Sequence, residues 1–172
     1  RRPATNTRAN DDAAAAFAPA PSPNKKGKMV MYNLFVYNRK GICLFSHEWQ
    51  KDEKRNEDDP EYEAERNRLV YGFFFSLDDV VQRMSEKSDG AVTLRTDTIA
   101  MHLYQTGTGF RFILTTDASA GDLRPNLLHI YNDFVEYVVK NPTHDPTADR
   151  PIDSPLFEHH LNAYVETLSC FR

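Results

Sequence analysis

Hydrophobic residues alternate with one another, not with polar ones, along Met31–Tyr37, where Tyr32, Leu34, Phe35, Val36 and Tyr37 place apolar groups on both faces. A strand with two apolar faces belongs in the centre of a covered sheet. Asn38, Arg39, Lys40 and Gly41 supply turn residues, and residues 42–49 (ICLFSHEW) read as a second strand, so the pair forms an antiparallel hairpin. Residues 50–61 are almost all charged, with Pro60 near their end, and read as a solvated loop. A long helix is predicted from Glu61 to about Met84. At the helical period Leu69, Phe73, Leu77, Val80 and Met84 share one arc, widened by Val70, Phe74 and Val81. Tyr71 and Phe75 fall on the opposite side, beside Asp78 and Gln82.

Ser88, Asp89 and Gly90 break that helix. Three strands then follow at 91–95, 99–106 and 110–115, joined by hairpin turns at Thr96, Asp97, Thr98 and at Gly107, Thr108, Gly109. Asp122 is placed to cap a helix with Leu123, Leu127, Tyr131, Phe134, Val135 and Val138 on one face, ending before Asn141 and Pro142. Residues 141–153 hold three prolines and read as loop. Ser154 as cap and Pro155 at the first helical position open a last helix striped by Phe157, His160, Leu161, Tyr164 and Leu168. The order β-β-α-β-β-β-α-α predicts a three-layer α/β/α domain, with a five-stranded antiparallel sheet covered by one helix on one face and two on the other.

Composition divides the chain in two. Residues 1–28 are polar, then Ala/Pro-rich, then basic, and read as a disordered tail; residues 29–172 form the domain, for which Met29 or Met31 is a natural start. The apolar part of the tail is mostly alanine, a weak basis for a targeting segment. The tail carries six Lys/Arg against two Asp, whereas residues 29–172 carry fifteen basic residues against twenty-three acidic ones. An acidic domain repels phosphate backbones and argues against nucleic acid as a partner. No run of 18 apolar residues suggests a membrane span. The two cysteines, Cys43 and Cys170, are too few for a disulfide framework, which fits a reducing intracellular setting.

The catalytic inventory is sparse. There is no GxxxxGK[ST] for a nucleotide and no GxSxG for an acyl-transfer serine. Gly107, Thr108 and Gly109 sit in a turn between strands, with no following helix to receive a phosphate. His159 and His160 are helical neighbours pointing about 100° apart, unlike the i, i+4 pair that ligates one metal. His160 reads as a hydrogen-bonded residue at the core edge, His159 as solvent-facing, and His102 as a satisfied sheet histidine. His47 and Glu48 begin an HExxH pattern that Lys51 breaks. The acidic stretch from Asp52 to Glu65 reads as solvated loop and helix start, and Cys43 as a buried small apolar residue. No catalytic residue, cofactor or metal is assigned.

What stands out is surplus aromatic surface. Tyr71 and Phe75 on the back of a helix already satisfied by the sheet would be exposed in a monomer, and Tyr and Phe are enriched at interface cores. They are the candidate partner interface; the alternative is that the 50–61 loop or the tail folds over them, or that the helical phase differs. The outer strand of the meander and the second strand of the first hairpin also offer edges for pairing.

Several stretches resemble a known family: YNLFVYNRKGICL from Tyr32 to Leu44, LVYGFFFSL from Leu69 to Leu77, LYQTGTG from Leu103 to Gly109, Thr116 with Asp117, and Ile130 and Tyr131 followed by VVKNP from Val138 to Pro142. In order and spacing, over roughly five sixths of the chain, they resemble the longin-type small subunit 1 family of the transport protein particle (TRAPP). The resemblance implies a longin fold and membership of a multisubunit complex that tethers vesicles and activates a Rab GTPase between endoplasmic reticulum and Golgi. It implies partnership with another longin subunit and with small α/β subunits, Rab contact through the assembled complex, and a cytoplasmic location peripheral to cis-Golgi and endoplasmic reticulum membranes. The family offers no catalytic residue to carry over. The basic tail has no counterpart in the family core, and the 50–61 loop departs from it. A longin-domain adaptor small subunit or a SNARE regulatory domain is the alternative; a SNARE of that kind would continue into a heptad-patterned segment, which the sequence up to Arg172 does not contain.

Overall fold

The computed structural model describes residues 29–50, 60–84, 91–143, 145 and 150–168, without the side chains of 60, 62, 63 and 77–84. The tail, the charged 51–59 stretch, the 85–90 break and Cys170 lie outside them.

Five strands form one antiparallel sheet: β1 Met31–Tyr37, β2 Cys43–Glu48, β3 Ala91–Arg95, β4 Ile99–Gln105 and β5 Arg111–Asp117, in the order β2-β1-β5-β4-β3. The first strand is central, as its two apolar faces require. Its partners are β2 on one side and β5 on the other, with Phe35 opposite Ile113 and Leu34 opposite Leu114. Helix α1, Pro60–Met84, follows the hairpin; α2, Arg124–Phe134, and α3, Pro155–Thr167, follow the meander. This is the expected order and the expected architecture, a five-stranded antiparallel sheet with helices on both faces.

Each face of the sheet has its own core. Val70 and Phe74 of α1 pack with Tyr32, Phe35, Tyr37, Ile99, Met101, Leu103 and Ile113. On the other face Leu127, Ile130 and Phe134 of α2 and Phe157, Leu161 and Val165 of α3 pack with Leu34, Val36, Leu44, Phe112 and Leu114. Phe134 is the hub of that second core. It meets Phe110, Phe112 and Phe157 edge-on, with centroids 5.5, 5.4 and 5.6 Å away, a favoured aromatic geometry.

Several local expectations need correction. Asp122 does not cap α2 from the N-cap position, which Leu123 occupies without a side-chain bond; the Asp122 carboxylate instead accepts from the Arg124 amide at 3.0 Å. The helix runs on into a π turn, Val135–Val139, in which the Lys140 amide reaches back to the Val135 carbonyl. Ile130 joins the buried face, while Tyr131 and Val135 are half-buried. The edge of β2 is not open along its length, because the Ile152 amide donates to the Leu44 carbonyl at 2.6 Å. Cys43 is half-buried, its thiol near the Phe45 carbonyl. Ser154 does cap α3, accepting from the Phe157 amide, with Pro155 in the first turn.

His102 is fully enclosed and bonded on both nitrogens, Nδ1 to Thr93 Oγ1 at 3.1 Å and Nε2 to Thr116 Oγ1 at 3.2 Å. Burial, reinforced by Arg95 and opposed by Asp122, lowers its pKa to about 4. A depressed histidine holds fewer protons folded than unfolded, so its contribution is complete above about pH 6.5 and fades as pH falls towards 4. Denaturation midpoints of the full chain should therefore drop across that window. His102→Gln, whose amide can still bond both threonines, should remove this part of the slope; an unchanged slope would show that other groups set it.

Candidate functional site

The two aromatics singled out on α1 do not share one environment. The buried line of the helix runs through Val70 and Phe74, whereas Leu69, expected in the core, is 49 % exposed. That rotation turns Tyr71 towards the sheet, so the expected placement on the back of the helix is wrong for it. Its ring lies 5.4 Å from that of Tyr37 and directly over Gly41. A Cβ on Gly41 would fall 2.5 Å from the Tyr71 ring, and the residue also holds φ +84°, so only glycine fits this turn. Phe75 is different. It is 56 % exposed, stacked on Tyr71 with centroids 6.0 Å apart.

Arg111, at the start of β5, closes the cluster. Its Nη1 donates to the Tyr71 hydroxyl at 2.7 Å and its Nε to Gln105 Oε1 at 3.4 Å. Its guanidinium carbon lies 5.5 Å from the Tyr71 ring centre and 5.9 Å from that of Phe75, within cation–π range. Tyr37, Tyr71 and Phe75 thus form an aromatic ladder from core to solvent, with Arg111 along its side. Sequence reasoning missed Arg111, because nothing local to it announces a residue 40 positions away.

The outward side of α1 between Leu69 and Phe75 is occupied by Gly72. A Cβ there would meet nothing within 4 Å. A glycine inside a helix costs about 0.5–1 kcal/mol relative to alanine, and no contact within the described residues accounts for it. An exposed leucine and an exposed phenylalanine, with a bare backbone between them, lie on the outward side of α1.

The other candidate groups do not assemble a reactive centre. His159 is exposed; His160 stacks on Tyr137 at 4.1 Å, ring against ring, and among the described residues the expected hydrogen bond is not made. His47 sits 3.3 Å from a Glu158 carboxylate oxygen and edge-on to Trp49. Among the described residues no three His, Cys, Asp or Glu side chains gather as a metal would need, and no helix is long and apolar enough to cross a membrane. The edge of β3 has no backbone partner beyond β4 among the described residues.

A Sybindin-like family profile matches residues 31–168, which is the whole sheet and its three helices. The chain belongs to the Sybindin-like family. Relatives of this Sybindin-like domain include rat trafficking protein particle complex subunit 1, 35 % identical over 146 residues, covering 83 % of this chain and 97 % of that protein. The transport protein particle subunit bet5 of Schizosaccharomyces pombe is 31 % identical over 155 residues, covering 83 % of this chain and all of that one. Among solved structures, a Roadblock/LC7 domain from Streptomyces avermitilis aligns over 57 % of this chain and 86 % of its own, at 13 % identity and TM-score 0.36. The family membership and the subunit 1 relatives agree with the resemblance drawn from the quoted stretches.

Proposed function

We propose that this chain is a structural, non-catalytic subunit of a multisubunit vesicle-tethering complex of the TRAPP type, and that within it the chain supports nucleotide exchange on a Rab GTPase in transport between endoplasmic reticulum and Golgi. The observation that carries the reading is the correspondence, nearly end to end, with proteins named as subunit 1 of such a complex. Its partners are another longin subunit and small α/β subunits. It meets the Rab GTPase and the cis-Golgi and endoplasmic reticulum membranes only through the complex, and it binds no nucleic acid. Its contribution is surface: the α1 face of Leu69, Gly72 and Phe75 is the seat for a partner subunit, with Tyr71 as the buttress behind Phe75.

Exchange assays test the division of labour. The isolated chain should leave GDP release from the Rab GTPase at its intrinsic rate, while the reconstituted complex accelerates it and loses that acceleration when this chain is omitted. Substantial release driven by the isolated chain would overturn the structural role.

Gly72 gives a second test, with opposite signs in two states. Gly72→Ala should stabilise the isolated chain by about 0.5–1 kcal/mol by removing the helix penalty, yet lower its recovery in the complex, because a methyl group intrudes where the partner comes closest. Denaturation of the isolated chain and densitometry of the purified complex read the two effects. Full recovery of the variant in the complex would remove Gly72 from the seat.

A further inference from the structure

We propose that Arg111 is a carboxylate anchor: together with Phe75 it binds an acidic segment of a partner protein, an Asp or Glu side chain received by the guanidinium and a neighbouring apolar side chain laid on the Phe75 ring. The proposal rests on the assembly reading above and names the chemistry of what occupies this surface.

The domain treats its two half-buried arginines on this face differently. Arg66 stacks over Phe35 at 5.4 Å and is forked onto Glu48, with Nη2 to Oε1 at 2.9 Å and Nη1 to Oε2 at 3.1 Å. Arg111 has the same aromatic support and the same half-burial, but every group it bonds is neutral: the Tyr71 hydroxyl and the Gln105 amide oxygen. No carboxylate among the described residues pairs with it, and its Nη2 has no hydrogen-bond partner there. A guanidinium partly removed from water, oriented by two neutral acceptors and backed by two rings, is a preorganised fork for a carboxylate.

The surroundings extend that charge. Gly41, under the Tyr71 ring, belongs to the turn that carries the exposed Arg39 and Lys40, and Arg39 reaches across to the Thr108 carbonyl at 3.0 Å. Arg68 is exposed on the Phe75 side of α1, two helical turns earlier. Arg111 thus lies against one exposed phenylalanine, with the exposed Arg39 and Arg68 on neighbouring elements, in a domain with fifteen basic against twenty-three acidic residues. That overall acidity favours a short acidic peptide over an anionic bilayer, which would repel the rest of the domain. A planar fork fixed at Nε and Nη1 also suits a single carboxylate more than a diffuse headgroup layer.

The test uses the full chain and fluorescein-labelled decapeptides that combine Asp/Glu with Leu/Phe in varied order, each paired with its Asn/Gln counterpart. Anisotropy titrations should find acidic members bound at least tenfold more tightly than their amides. Arg111→Gln and Phe75→Ala should each erase that preference, and Arg111→Lys should not restore it. Phe75→Ala touches an exposed ring and leaves folding intact, so the test survives any loss of stability at Arg111. Equal binding of acids and amides, an undiminished preference in Arg111→Gln, or binding to phosphatidylserine vesicles in place of the peptides would each overturn the proposal. A chain that enters the complex but ignores acidic peptides loses the anchor and keeps the assembly; one that binds acidic peptides through Arg111 yet enters no complex keeps the anchor and loses the assembly.

Discussion

Phe134→Ala is expected to remove about 3–5 kcal/mol of folding stability, the cost of deleting a buried aromatic whose surroundings close only partly. The ring is fully buried and contacts Phe110 and Phe112 of the sheet side and Phe157 of α3 at once, so its loss leaves a void where three elements meet. For a domain with a typical stability of about 5–15 kcal/mol, that is a fifth of the total or more. Urea denaturation should show a large drop in midpoint with little change in slope. Phe134→Leu, which keeps most of the volume, should cost clearly less. A Phe134→Ala variant within 1 kcal/mol of the parent would mean that α2 and α3 do not share a core with the sheet.

Phe75→Glu is expected to weaken binding to partner subunits by about 1–3 kcal/mol, roughly five- to 150-fold in Kd, while leaving the fold intact. The ring is more than half exposed, and among the described residues its ring contacts are the Tyr71 stack and the Arg111 guanidinium. Exposed substitutions of this kind change stability by less than about 0.5 kcal/mol. Tyr71→Glu is not an equivalent probe. It would bring a carboxylate against Tyr37 and the Gly41 turn and remove the hydroxyl that orients Arg111, so it should lower stability as well as binding. Parallel denaturation and titration against the purified partner separate the two cases. Unchanged affinity in Phe75→Glu would place the partner seat elsewhere on the molecule.

The contrast between these two aromatics shows where the sequence runs out. Strands β1 and β3 were legible to the residue, because a doubly apolar run and a short run bounded by turn residues leave little choice of register. The three-layer arrangement followed from the same logic, since a sheet with two apolar faces needs helices on both. The phase of α1 was not legible. From Leu69 to Phe75 every residue except Gly72 is apolar or aromatic, so a helical wheel has no polar side to orient it. The decision comes from a contact 30 residues away in sequence, the space left above Gly41 by a missing side chain, which admits Tyr71 and turns Leu69 outwards. The Ile152–Leu44 bond and the π turn after Phe134 were equally hidden, since both are settled by backbone geometry and not by residue pattern. Of the candidate site, Phe75 was readable from the surplus of aromatics, while Arg111 became visible only when the fold set it beside Tyr71.

Affinity purification of the tagged full chain from its own cells, with mass spectrometry of what elutes, bears most directly on the chain's role as a built-in part. A defined set of trafficking-complex subunits should co-elute with it in fixed ratio and stay with it through size-exclusion chromatography. Elution of the chain alone, as a species of its own mass with no such subunits, would contradict the account.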